Sequence, residues 1–116
     1  MTQDNGSTGP ASNVDVAVVG GGMAGSLAAT LLGRKGYRVA LIDIHAVYPP
    51  DFRCEKVARD QPDLLRGIDM LDCVTAVSTP ISQMYVARHG RFVECRPSAE
   101  YGFLYETVVN AVRAQL

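Results

Sequence analysis

A chain of 116 residues, 47% hydrophobic and 20% charged, has material for one globular core and not for two. Eleven Lys and Arg against twelve Asp and Glu leave a net charge of -1 without long runs, which disfavours nucleic acid and anionic membrane as partners. No apolar stretch approaches the roughly 20 residues that span a bilayer, and MTQDNGSTGPASN has neither a basic start nor an apolar segment, so the expectation is a cytoplasmic protein.

Residues 1–12 carry little to bury and predict a disordered tail, with a single domain over 13–116. Val14 to Gly20, VDVAVVG, is a β-branched run ended by glycine and predicts a strand buried on both faces. From Met23 to Lys35, Ala24, Leu27, Ala28, Leu31 and Leu32 recur at helical spacing, and Gly36 follows where a left-handed cap belongs. YRVALID, Tyr37 to Asp43, predicts a second strand, completing a βαβ unit over 14–43 with parallel strands. HAVYPPDFRCEKVARD has two prolines and no period, which predicts a loop with a short helix near its end. Gln61 and Pro62 then open a helix over about 62–72, marked by Leu64, Leu65, Ile68 and Leu71. Two alternating runs over about 82–95 meet at His89-Gly90 and predict a hairpin. Leu104, Val108, Ala111 and Val112 predict a last helix over about 102–115. The class is α/β: a Rossmann-like βαβ unit with an added β-hairpin and C-terminal helix, its parallel sheet incomplete.

The chemistry concentrates in VVGGGMAGSLAA. Gly20, Gly22 and Gly25 match G-x-G-x-x-G, a pattern that alone arises by chance in roughly 4% of chains this long. Its setting gives it weight, because a strand precedes it, a helix follows, and acidic Asp43 ends the next strand eighteen residues past Gly25. Gly20 permits the tight turn, Gly22 lets a pyrophosphate approach the main chain, and Gly25 lets helix and strand pack closely. Met23 and Ala24, in the first helical turn, offer free N–H groups and the positive end of the helix dipole. Asp43 can accept hydrogen bonds from both hydroxyls of an adenosine ribose, and its charge disfavours a 2'-phosphate.

The segment DVAVVGGGMAGSLAATLLGRKGYRVALID resembles the N-terminal FAD-binding segment of the flavoprotein monooxygenases, the group that includes aromatic hydroxylases and flavin-dependent halogenases. The resemblance implies FAD as cofactor, NAD(P)H as electron donor and a small organic substrate. That family usually has glutamate where this chain has Asp43, which leaves NAD as an alternative. Arg53 in PPDFRCEK falls where many relatives place an arginine near the cofactor, although it reads equally well as a solvated loop residue. LLRGIDMLD is similar to the family's next helix, and YGFLYETVVNAVRAQL to a later one in which Tyr105 stands where an arginine is common. The family's later "DG" and "GD" motifs do not occur, so the chain resembles the first third of a relative and is expected to be inactive alone. The alternatives are a non-catalytic nucleotide-binding module and a fragment of an NAD-dependent dehydrogenase.

No side chain is singled out as a catalytic acid, base or nucleophile. His45 is near Asp43 in sequence and reads as a partly exposed polar residue, while His89 belongs to the hairpin turn. Asp69 and Asp72 lack partners for a metal site. Cys54, Cys73 and Cys95 are widely spaced and odd in number, which suits reduced thiols. In flavin enzymes the cofactor carries the redox chemistry and the protein positions it, so the absence is compatible with an oxidoreductase.

Overall fold

The computed structural model describes residues 13–116 of the chain; the tail expected over 1–12 lies outside the described residues. The elements in order are β1 (Val16–Val19), α1 (Met23–Arg34), β2 (Val39–Ile42), β3 (Cys54–Val57), α2 (Gln61–Gly67), α3 (Leu71–Thr75), β4 (Thr79–Arg88), β5 (Arg91–Leu104) and α4 (Tyr105–Arg113). They build a mixed α/β fold with a parallel pair β1-β2 and an antiparallel sheet of order β3-β5-β4.

The parallel pair runs in register from Val16 opposite Val39 to Val19 opposite Ile42. The Gly20 N–H carries the pairing one step further, donating to the Ile42 carbonyl at 2.8 Å. Between the strands, α1 closes with the two hydrogen bonds of a Schellman turn, Gly36 N–H to Gly33 and Tyr37 N–H to Leu32. Gly36 sits at φ 91°, where a Cβ would be strained. At the open end of the pair, Arg38 lies 2.8 Å from Asp15.

β1 is not buried on both faces as its composition suggests: Val19 is 81% exposed. Among the described residues β2 alone pairs with it, and α1 packs against the pair, so two strands lack the neighbours that would cover a fully apolar run.

The single helix expected over 62–72 is two helices. Asp69 adopts φ 56°, a conformation that aspartate tolerates better than most residues. Asp69 N–H and Met70 N–H return to Arg66 and Leu65, which ends α2 and turns Met70 inward, where it is 1% exposed.

The loop expected between β2 and α2 holds a strand, β3, in place of a short helix. CEKV is too short to show a period, and it is a strand because β5 pairs with it from Cys54 opposite Leu104 to Val57 opposite Tyr101. The hairpin is also longer than 82–95. Strands β4 and β5 pair from Thr79 opposite Gly102 to Arg88 opposite Arg91, with irregular register between Ile81 and Gln83. That bulge sits beside Pro97 and breaks the alternation by which the sequence marks a strand. The same pairing delays the last helix: Tyr101 to Leu104 belong to β5, and α4 starts at Tyr105.

The core lies where the helices meet the antiparallel sheet. Val57, Leu65, Met70, Leu71, Val74, Phe103, Val108 and Val112 form one buried cluster, with Met23, Leu27, Ile68 and Cys73 packed against it. Met23 and Leu27 tie α1 to that core, which places the start of α1 beside the start of α4.

Candidate nucleotide site at the start of α1

The glycine-rich turn is shaped by backbone contacts. Gly20 takes φ 98°, open to glycine and strained for other residues. A Cβ on Gly25 would lie 3.1 Å from the carbonyl carbon of Gly20 and closer still to its oxygen, so α1 can approach the end of β1 only with glycine there. Gly22 is the extended N-cap residue of α1 and makes no side-chain cap. No acidic residue stands in the first turn, which contains Met23 and Ala24. The positive end of a twelve-residue helix is therefore not offset by a carboxylate within its own first turn.

A hydroxyl from α4 meets that end instead. Met23 N–H donates to the Tyr105 Oη at 3.2 Å, and a Cβ on Gly22 would come within 3.3 Å of the same oxygen. Arg53 stacks on the other side of this contact, its Cζ 4.1 Å from the centre of the Tyr105 ring. Its guanidinium is steered there by Asp51 Oδ2, 2.7 Å from Nε, and by the Tyr48 hydroxyl, 2.7 Å from Nη2. The pairing with Asp51 holds the Arg53 pKa above its ordinary value. Met23 and Tyr105 also line an apolar cleft of about 400 Å³ with Leu27, Val57, Leu65 and Phe103.

Asp43 stands across the turn, one strand over. Its Oδ1 accepts the His45 N–H at 2.8 Å and its Oδ2 accepts the Gly21 N–H at 2.6 Å. These two N–H groups, His45 first, hold the Asp43 carboxyl below its ordinary value, with the charge of Arg113 adding to them and desolvation opposing. The Arg113 Nη2 is 3.3 Å from Asp43 Oδ2, close enough for an ion pair without being aligned as a hydrogen bond. The His45 imidazole is half exposed, with Nδ1 3.9 Å from Asp43 Oδ1.

The fold thus brings Gly20, Gly22, Met23, Ala24, Gly25 and Asp43 to one place, and brings Arg53 to the turn by way of Tyr105. Sequence reasoning misses Arg113 and Tyr48. Arg113 Nε donates to the Gly21 carbonyl at 2.7 Å and Nη1 to the His45 carbonyl at 2.8 Å. Tyr48 is tied to α4 through Asn110, whose amide pairs with both backbone groups of Tyr48. Both contacts join segments more than sixty positions apart, which no local pattern reports.

The family described as "FAD binding domain" matches residues 13–112. Among solved structures, p-nitrophenol 4-monooxygenase PnpA from Pseudomonas putida DLL-E4 superposes with a TM-score of 0.76 at 20% identity, covering 86% of this chain and 28% of that one. A variant of 2-methyl-3-hydroxypyridine-5-carboxylic acid oxygenase gives 0.73 at 20% identity, over 90% of this chain and 29% of the other. A variant of PqsL from P. aeruginosa gives 0.72 at 19% identity, over 88% and 30%. At such identities the likeness is one of fold, and the chain spans less than a third of each of these structures. Among curated proteins none matches the chain.

Proposed function

This chain belongs to the FAD binding domain family, and we propose that it carries the adenosine and pyrophosphate half of the FAD site in a flavoprotein monooxygenase. One observation carries the proposal: a glycine turn opens a helix whose first turn holds no acidic residue, with Asp43 hydrogen-bonded to that turn from the neighbouring strand.

The residues fit the group. A Cβ at Gly25 would push α1 off the end of β1, and one at Gly22 would crowd the Tyr105 hydroxyl at the helix start, so a turn with neither suits a pyrophosphate against the main chain. Gly20, Gly22 and Gly25 would shape its seat, and Met23 and Ala24 would present N–H groups to it. Each Asp43 oxygen accepts one backbone N–H and keeps lone-pair capacity for a ribose hydroxyl. Arg53, fixed on Tyr105, would offset the negative charge of the diphosphate. When bound, FAD would supply the redox and oxygen chemistry, with NAD(P)H as electron donor and a small organic substrate as acceptor of one oxygen atom. The activities for which PnpA and the pyridine carboxylic acid oxygenase are named support an aromatic substrate class. A cytoplasmic setting goes with this reading, supported by three unpaired thiols, of which Cys54 and Cys95 are exposed. Among the described residues no helix is long and apolar enough to cross a membrane.

The visible spectrum of the purified chain, followed by titration with FAD, NAD and ADP, tests the proposal. Binding of ADP and FAD in competition supports it. Binding of NAD in preference to FAD would move the chain to the dehydrogenase reading, and binding of none of the three would refute a nucleotide site. The chain alone is expected to show no NADPH-dependent oxygen uptake.

A further inference from the structure

The middle glycine of the GGG run, Gly21, has no assigned part in the G-x-G-x-x-G pattern, yet it is buried and its surroundings are specific. A Cβ at Gly21 would fall on the guanidinium of Arg113, 2.9 Å from Cζ and closer to Nη2. The Arg113 side chain is only 10% exposed, and its Nη2 has no hydrogen-bond partner. A buried guanidinium with an unmade hydrogen bond is costly, so its placement calls for a compensating role.

Both ends of Gly21 are held. Its N–H goes to Asp43 Oδ2, and its carbonyl accepts from Arg113 Nε at 2.7 Å and from Ser26 Oγ at 3.0 Å. Ser26 is fully buried, so the carbonyl is drawn inward. In a planar trans peptide the next N–H points opposite to that carbonyl. Holding the Gly21 oxygen inward therefore aims the Gly22 N–H outward, and among the described residues no hydrogen bond takes that group up. An inward carbonyl also keeps a partial negative charge away from an approaching anion. The same guanidinium binds the carbonyls of His45 and Ala46, just past Asp43, so one side chain joins α4, the glycine turn and the exit of β2.

We infer that Arg113 is a positioning residue for the nucleotide site: it fixes the Gly21 peptide so that the Gly22 N–H and the Asp43 carboxylate are set for a diphosphate and its ribose. Gly21 is glycine because Arg113 takes the space of its side chain. The inference rests on the nucleotide reading of the turn, and its test separates the two.

Amide NMR spectra of the full chain are compared for the native sequence, Arg113→Lys, Arg113→Ala and Gly21→Ala, each with and without ADP. The Gly21 and Gly22 amides should shift and exchange faster in Arg113→Ala while the core amides of α4 and β5 stay in place. ADP affinity should fall about tenfold in Arg113→Ala, with part of that loss recovered in Arg113→Lys. Gly21→Ala should reproduce the amide shifts from the other side of the contact, and it serves in place of Arg113→Ala if that variant does not fold. Unmoved Gly21 and Gly22 amides would overturn the inference, and so would amides that move in a folded Arg113→Ala with unchanged ADP affinity. If the native chain binds no ADP, the nucleotide reading is refuted and the inference falls with it, and amides that still move in Arg113→Ala show only that Arg113 fixes the Gly21 peptide.

Discussion

The hydroxyl of Tyr105 accepts the N–H of Met23, joining the first residue of α4 to the first residue of α1 across 82 positions of sequence. The contact occupies one of the donors that a helix start leaves free, in the place where an anion would compete for it. Tyr105→Phe keeps the ring on Arg53 and removes the acceptor. Its stability should fall by about 0.5–1.5 kcal/mol, the net worth of one hydrogen bond. ADP affinity should rise, because the anion no longer displaces the hydroxyl. Thermal unfolding and calorimetric titration of the same preparation check both halves.

Gly25→Ala and Gly33→Ala lie in the same helix and should behave oppositely. The added methyl at 25 meets the Gly20 backbone, which cannot give way without opening the turn, and about 3 kcal/mol of stability should be lost. The methyl at 33 meets nothing within 4 Å. In a helix interior alanine is favoured over glycine by roughly 0.8–1.0 kcal/mol, so Gly33→Ala should be neutral or stabilising. Urea denaturation of the two variants gives the comparison.

What is legible in the sequence follows from the range of each contact. Gly20, Gly25, Gly36 and Asp43 act within one βαβ unit, where Asp43 reaches Gly21 across only 22 positions, and their meaning is local enough to read directly. Strand β3 is different: CEKV pairs with residues nearly fifty positions later, and nothing in four residues announces it. The break at Asp69 hides for another reason, since Leu64, Leu65, Ile68 and Leu71 keep helical spacing across a residue that leaves the helix. Arg113 is the clearest case in the site. At the end of α4 a basic residue looks like a partner for the helix dipole, whereas its guanidinium lies under a glycine 92 positions earlier.

The lowered pKa of Asp43 gives a pH dependence with a definite sign. A carboxyl whose native pKa is below its ordinary value of 3.8 adds stability above that value, and loses it as the pH falls through the native pKa. Asp43→Asn removes the charge. The variant should therefore be less stable than the native chain at pH 7, with the gap constant down to about pH 5 and closing in more acidic solution. Asp15, lowered by Arg38, titrates in the same acid range in both proteins and cancels in the difference. Chemical denaturation of the pair from pH 7 to pH 3 measures it.

Calorimetric titration of the native chain and Asp43→Ala with ADP shows whether the turn Gly20 to Gly25 and Asp43 form one nucleotide site. The native chain should bind ADP and Asp43→Ala should bind it about tenfold more weakly, a loss near 1.4 kcal/mol. Equal affinity in the two proteins, or no binding by a folded native chain, would contradict that site.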